Sequence, residues 1–192
     1  FFIKKNGEIL TLVPDLYIAW HAGISFWKKY KFLNKYSIGI EISNPGHDYK
    51  YTYFNKRQIK SVLNLTKLLI KKYKIKSKFI LGHSDISPDR KKDPGEKFPW
   101  NELSKKQIGL WHDFNQRILK KNRNQAISLI EKNNFYKNLY DIGYSKKISK
   151  KNINYLNKLT KAFQMRFRQE LINGVVDKEC LIISKNLAKK FA

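Results

Sequence analysis

The sequence predicts a mixed α/β fold, a small β-sheet flanked by helices, followed by a small three-helix bundle. Three observations carry this prediction. An Asn-Gly pair separates two short apolar runs at the start of the chain, the pattern of a tight hairpin. Segments with the two-residue alternation of strands then alternate with a strongly amphipathic helical segment as far as Trp111. Beyond Trp111 three stretches of helical periodicity follow one another.

The opening "FFIKKNGEILTLV" reads as strands at 1–5 and 8–13 joined through Asn6 and Gly7. It carries neither an initiator methionine nor a signal-like segment, so the natural start is expected upstream of Phe1. "YIAWHAGISFW" is an aromatic-rich loop. "SIGIEI" is a strand in which Ile38, Ile40 and Ile42 face one way and Ser37, Gly39 and Glu41 the other. A glutamate there is ordinarily a solvent-facing residue. A helix starts at Asn55, its N-cap, with Gln58 in the capping-box position and Ile59, Val62, Leu63, Leu69, Ile70 and Tyr73 as the buried stripe. "KFILGH" reads as a strand at 78–81 that delivers His83 to its end. Residues 112–123 form a polar, basic connector. Helices are predicted at 124–142, 153–168 and 178–191, broken at Gly143 and at Asn173-Gly174, with Asp177 as N-cap of the last. His47 and His112 lie outside every motif and receive no role.

Charge narrows the partners. The 192 residues hold 40 Lys and Arg against 15 Asp and Glu, a net charge of +25. That balance favours polyanions: nucleic acid, anionic lipid or an acidic wall polymer. Yet 34 of the 40 cations are lysine, scattered over the chain. Arginine, suited to bidentate base and phosphate contacts, is scarce, which argues against nucleic acid as the main partner. The single cysteine, Cys180, excludes an intrachain disulfide and a cysteine-based structural zinc site. No apolar run approaches the roughly 20 residues needed to span a bilayer.

The densest chemistry lies in "GHSDISPDRKKDPGEKFPW", residues 82–100. His83 leaves the predicted strand, and Asp93 follows across a segment stiffened by Pro88 and Pro94, so the two can converge. A histidine and a carboxylate with open positions for water form a zinc set suited to hydrolysis. The same pair is equally readable as a satisfied hydrogen bond. Lys91, two residues before Asp93, falls on the same side of an extended segment.

"AWHAGIS", "N..SIGIEISN" and "GHSDISPDRKKDPG..FPW", with their spacing, resemble the type-2 N-acetylmuramoyl-L-alanine amidases, zinc enzymes related to peptidoglycan recognition proteins and phage amidase lysozymes. The resemblance runs from Phe1 to Trp111. It implies the zinc amidase fold, Zn2+ as cofactor, His83 and Asp93 as two of three metal ligands, Glu41 as the catalytic carboxylate and Lys91 as the cation for the developing oxyanion. The family's first ligand is a histidine on a strand before the opening hairpin, and it is expected upstream of Phe1. His21 is then a pocket residue beside Trp20, with Asn34 also on the substrate side. "LYDIGY" and "LTKAFQMRFRQELINGVVDKEC" resemble the three-helix peptidoglycan-binding domain. That likeness implies a wall-binding surface built from Tyr144, Gln164 and Arg168.

The implied organisation is a catalytic domain at 1–111, a connector at 112–123 and a peptidoglycan-binding-like helical domain at 124–192. The implied activity is hydrolysis of the amide between N-acetylmuramic or anhydro-muramic acid and L-alanine, on peptidoglycan or muropeptides, by a monomer. A periplasmic or outer-membrane-associated location in a Gram-negative envelope is expected, with the cytoplasm as second choice. The alternative is a catalytically inactive module that recognises muropeptides, favoured if the full protein lacked the upstream histidine.

Overall fold

A computed structural model describes residues 1–146 and 154–191. The start of the helix predicted at 153–168 lies outside the described residues. Strands β1 (Phe2–Ile3) and β2 (Ile9–Leu10) pair antiparallel across the Asn6-Gly7 turn, with Phe2 opposite Leu10. β3 (Phe26–Trp27) and β4 (Tyr30–Lys31) form a separate hairpin. β5 (Glu41–Ile42) adds parallel to β1, with Phe2 opposite Glu41, giving a mixed sheet of order β2-β1-β5. Each strand is shorter than its hydrophobic run predicts.

The helix α1 (Lys56–Tyr73) has the predicted start: the Asn55 side chain accepts from the Gln58 amide and Gln58 returns the bond. Such a box satisfies two backbone donors that the helix itself cannot. The isoleucines of β5 and its approach, Ile38, Ile40 and Ile42, pack with Ile3, Val62, Leu65, Leu69, Phe98 and Trp100 in one core. Tyr73, read as part of the buried stripe, is instead 37 % exposed.

The strand predicted at 78–81 does not form. Ser77–Phe79 is a 3-10 turn, and the carbonyls of Lys78 and Ile80 accept from the Trp27 indole and the Arg166 guanidinium instead of a neighbouring strand. Two short helices follow, α2 (His83–Ile86) and α3 (Trp100–Ser104).

The connector holds a helix of its own, α4 (Gln116–Asn122), capped by Asn115 and burying Leu119 against the last helix. Then come α5 (Leu129–Ile142), α6 (Tyr155–Phe167) and α7 (Lys178–Phe191). α5 starts later than predicted because Ser128 and Glu131 close a capping box there. Asp177 caps α7 as expected, its carboxylate accepting from the Cys180 amide at 3.0 Å. Phe135, Leu139, Phe163, Ile183 and Leu187 are fully buried between these helices. Their core also takes in Ala22, Trp27, Leu33 and Leu110, so apolar packing runs straight across residues 112–123.

Candidate active site

The site grows from one face of β5. Because Ile40 and Ile42 turn into the core, Ser37, Gly39 and Glu41 present the opposite face. The His21 ring lies against that face: a Cβ added at Gly39 would fall 2.6 Å from its Cγ and Cδ2, so only glycine lets the imidazole approach so closely. His21 Nε2 lies 3.0 Å from the Ser37 hydroxyl and Nδ1 lies 2.9 Å from the Ala19 carbonyl. Burial lowers the His21 pKa against the opposing pull of the Ala19 carbonyl, and the nearby His83 adds to the lowering. Asn34 does not reach outward. Its Oδ1 accepts from the His21 and Ala22 amides at 3.1 and 2.7 Å, which makes it the anchor of the loop that carries His21. Trp20, beside it, is 92 % exposed.

The loop at 82–93 packs against the loop that carries His21. His83 opens α2, and the next amide, Ser84, donates to the Asp93 carbonyl at 2.8 Å, so the two ends of the loop meet. His83 Nδ1 lies 3.1 Å from Asp93 Oδ2, and Nε2 lies 3.1 Å from the Ala22 carbonyl. A carbonyl can only accept, so Nε2 carries the ring proton and the Nδ1 lone pair faces a carboxylate oxygen. An imidazole lone pair and a carboxylate oxygen turned toward each other are a donor pair that a bound metal ion would satisfy. A backbone carbonyl orienting the far nitrogen is also the usual support of a metal-ligating imidazole. His83 and Asp93 therefore fit as two donors for zinc. Among the described residues, no group of three His, Cys, Asp or Glu side chains converges to hold a metal.

Electrostatics tie the remaining residues to this pair. Desolvation raises the Glu41 pKa and the Asp93 charge adds to the rise, while His83 and Lys91 pull it down. For Asp93, burial alone acts upward, but the hydrogen bond and charge of His83, helped by Lys91, hold the carboxyl below its ordinary value. The charges of His83, Lys91 and Asp93 all bear on Glu41, and those of His83 and Lys91 on Asp93.

Several residues of the site were not read from the sequence. Arg90 donates to the carbonyls of Ala22 and Ile24 at 2.8 and 3.2 Å and to Ser87 at 3.1 Å, and Ser87 also donates to Ile24. Together they lash the His21 loop to the His83 loop. On the other side Tyr51 donates to the Pro94 carbonyl at 2.7 Å, with the ring of His47 stacked on it and His47 Nε2 2.9 Å from Glu96. Arg90 lies inside the motif and could have been suspected. Tyr51 and His47 gave no signal, since only the fold brings residues 47–51 beside 94–97.

The wall-facing residues expected in the bundle are a correction. Tyr144 is 3 % exposed and donates to Asp85, Gln164 is 0 % exposed and ties Gly174 and Val175, and Arg168 is 2 % exposed and ion-paired with Asp177. Polar residues on or just beyond a surface helix normally face water, but these three satisfy partners inside the molecule. None can form a docking surface.

The fold is of the α/β class, and its candidate site sets a histidine and carboxylate pair beside a second carboxylate and a lysine. Residues 1–96 match the family model described as N-acetylmuramoyl-L-alanine amidase, and the chain belongs to that family. It is 35 % identical over 195 residues to the N-acetylmuramoyl-L-alanine amidase AmiD of Escherichia coli, covering 98 % of this chain and 70 % of that protein. It is 39 % identical over 101 residues to the 1,6-anhydro-N-acetylmuramyl-L-alanine amidase AmpD of Enterobacter cloacae, covering 53 % of this chain and 52 % of that one. The structure of E. coli AmiD in complex with its substrate, anhydro-N-acetylmuramic acid-L-Ala-D-γ-Glu-L-Lys, superposes with a TM-score of 0.84 over 96 % of this chain and 73 % of AmiD, at 34 % identity. AmpDh3 of Pseudomonas aeruginosa, in complex with anhydromuramic pentapeptide, superposes with a TM-score of 0.80 over 95 % of this chain and 73 % of that one, at 32 % identity.

Proposed function

We propose that this chain hydrolyses the amide between the lactyl carbonyl of N-acetylmuramic acid, or its anhydro form, and the L-alanine of the stem peptide, in cell-wall turnover or recycling. The observation that carries the reading is the meeting of His83 Nδ1 and Asp93 Oδ2 at 3.1 Å, with Glu41 and Lys91 acting on the same point. With zinc held there, the chemistry on offer is polarisation of the carbonyl and a more acidic water. Glu41 takes the proton of the attacking water and passes it to the leaving amine; its raised pKa brings it toward the working pH for both tasks. Lys91 offsets charge on the tetrahedral oxygen. Trp20 and His21 line the substrate side, and Asn34 holds their loop. No helix among the described residues is long and apolar enough to cross a membrane. The reading places a monomer on peptidoglycan or muropeptides at the periplasmic side of a Gram-negative envelope, with the cytoplasm as second choice.

Metal analysis of the full-length protein, paired with cleavage of a purified muropeptide, tests the reading. His83→Ala and Asp93→Ala should lose zinc and activity together. Lys91→Ala should keep zinc and lose about 100 to 1,000-fold in turnover. A Lys91→Ala enzyme at the wild-type rate would remove Lys91 from the mechanism. A wild-type protein that binds the muropeptide and leaves it intact would point to the recognition module instead.

A further inference from the structure

The helical region sends four side chains into residues 80–98, the stretch that carries His83, and two of them meet on the Asp85 carboxylate. Arg166, 2 % exposed, pairs with the Asp85 carboxylate, donates to the Ile80 carbonyl at 3.0 Å and lays its guanidinium 4.0 Å from the centre of the Trp100 ring. The Tyr144 hydroxyl donates to the other Asp85 oxygen at 2.7 Å. Asp85 in turn accepts from the Gly82 amide at 2.7 Å, the residue directly before His83. Lys158 donates to the Asp89 carbonyl at 2.8 Å and Gln169 to the Phe98 carbonyl at 2.7 Å. We propose that Arg166 and Tyr144, acting through Asp85, are positioning residues that fix the His83 turn, so that the helical region is a brace of the amide-cleaving site.

The brace turns on Asp85. It is 1 % exposed, and a buried carboxylate holds its place only while its charge is paired and its oxygens are bonded. Its oxygens take a backbone amide from the His83 turn and two donors from the helical region. Withdraw a donor and the carboxylate must turn or draw in water, and the Gly82 amide moves with it. His83 sits one residue on. A displacement of about 1 Å in such a group can cost on the order of 100-fold in rate. A helical region that served only to concentrate the enzyme at the wall would leave cleavage of a small soluble substrate untouched.

This inference rests on the catalytic reading given above, and its test separates the two. Tyr144→Phe removes one hydroxyl and keeps the ring packed edge-on to Trp27, 5.0 Å between centroids. Arg166→Gln removes the charge, and Arg166→Lys restores the charge without the fork that reaches both Asp85 and Ile80. In the zinc-loaded full-length protein, amide hydrogen exchange is read at Gly82 and Ser84, with kcat and KM on a soluble muropeptide and sedimentation with sacculi alongside. Tyr144→Phe and Arg166→Gln should speed exchange at Gly82 and Ser84 by about tenfold or more, with α1 amides unchanged. They should lower kcat by about 100-fold at constant KM, with sacculus binding retained and Arg166→Lys recovering part of the loss. Unaltered exchange at Gly82 and Ser84 in folded variants overturns the brace, as does faster exchange with full kcat. Should Arg166→Gln not fold, Tyr144→Phe carries the test. A wild-type protein that cleaves no muropeptide sinks the catalytic reading, and the exchange rates still decide the brace.

Discussion

The His83 loop and the helical region are ordered by different forces. Around the His83 loop and the His21 loop beside it, single polar groups do the holding: Asn34 on two amides, Arg90 on two carbonyls, Tyr51 on the Pro94 carbonyl. The sheet beneath has strands of two residues. In the helical region Phe135, Leu139, Phe163, Ile183 and Leu187 exclude water completely. Loss of one polar tie should therefore damage function locally, whereas loss of one core side chain should lower the stability of the whole.

Five changes probe that contrast. The largest effect is expected at Glu41: Glu41→Gln should lose about 100 to 10,000-fold in kcat with an unchanged melting temperature, and a mutant near the wild-type rate would take Glu41 out of the chemistry. In the helices, Phe163→Ala should cost about 3–5 kcal/mol in urea unfolding. A loss well under 1 kcal/mol would mean that the core there collapses without cost, and the contrast would fail on that side.

His112 adds a pH signature. It is 6 % exposed beside Trp111 and Phe114, and burial pushes its pKa down to about 4. The unfolded chain takes up this proton near pH 6.5, before the folded chain does, so stability falls as pH drops from about 6.5 toward 4. His112→Gln should remove up to about 3 kcal/mol of that fall. An identical acid limb in both proteins would show that the ring is solvated. Asn34→Ala strands two amides and should cost roughly 1–3 kcal/mol, read mainly as lower kcat/KM. Smallest is Asn55→Ala, about 1 kcal/mol of stability from the α1 cap, with activity intact.

How much of this was legible depends on how local the cause is. The Asn55–Gln58 box, the Asp177 cap and the alternation of Ile38, Ile40 and Ile42 each arise within a few residues, and the structure follows the sequence there. The strand expected at 78–81 failed because its carbonyls are taken by Trp27 and Arg166, which are 51 and 86 residues away along the chain. Tyr144, Gln164 and Arg168 read as surface residues from the sequence, yet they find partners inside the molecule, 59 residues away for Tyr144 and nearer for the other two. Polarity marks a residue as needing a partner, and only the fold says whether the partner is water. Within "GHSDISPDRKKDPG" residue type and spacing single out His83, Lys91 and Asp93 as candidates, yet Asp85 in the same motif gives no hint of its bond to a tyrosine 59 residues on.

The end of α5 has a further consequence. Gly143, at φ 144°, passes its carbonyl to the Lys28 amide at 2.7 Å, and a methyl there would fall 2.7 Å from the Trp27 indole. The helix stops on the ring of its neighbour with no room for one more carbon. Any side chain larger than hydrogen at position 143 would press on the hairpin of residues 26–31, so helix end and hairpin can shift only together.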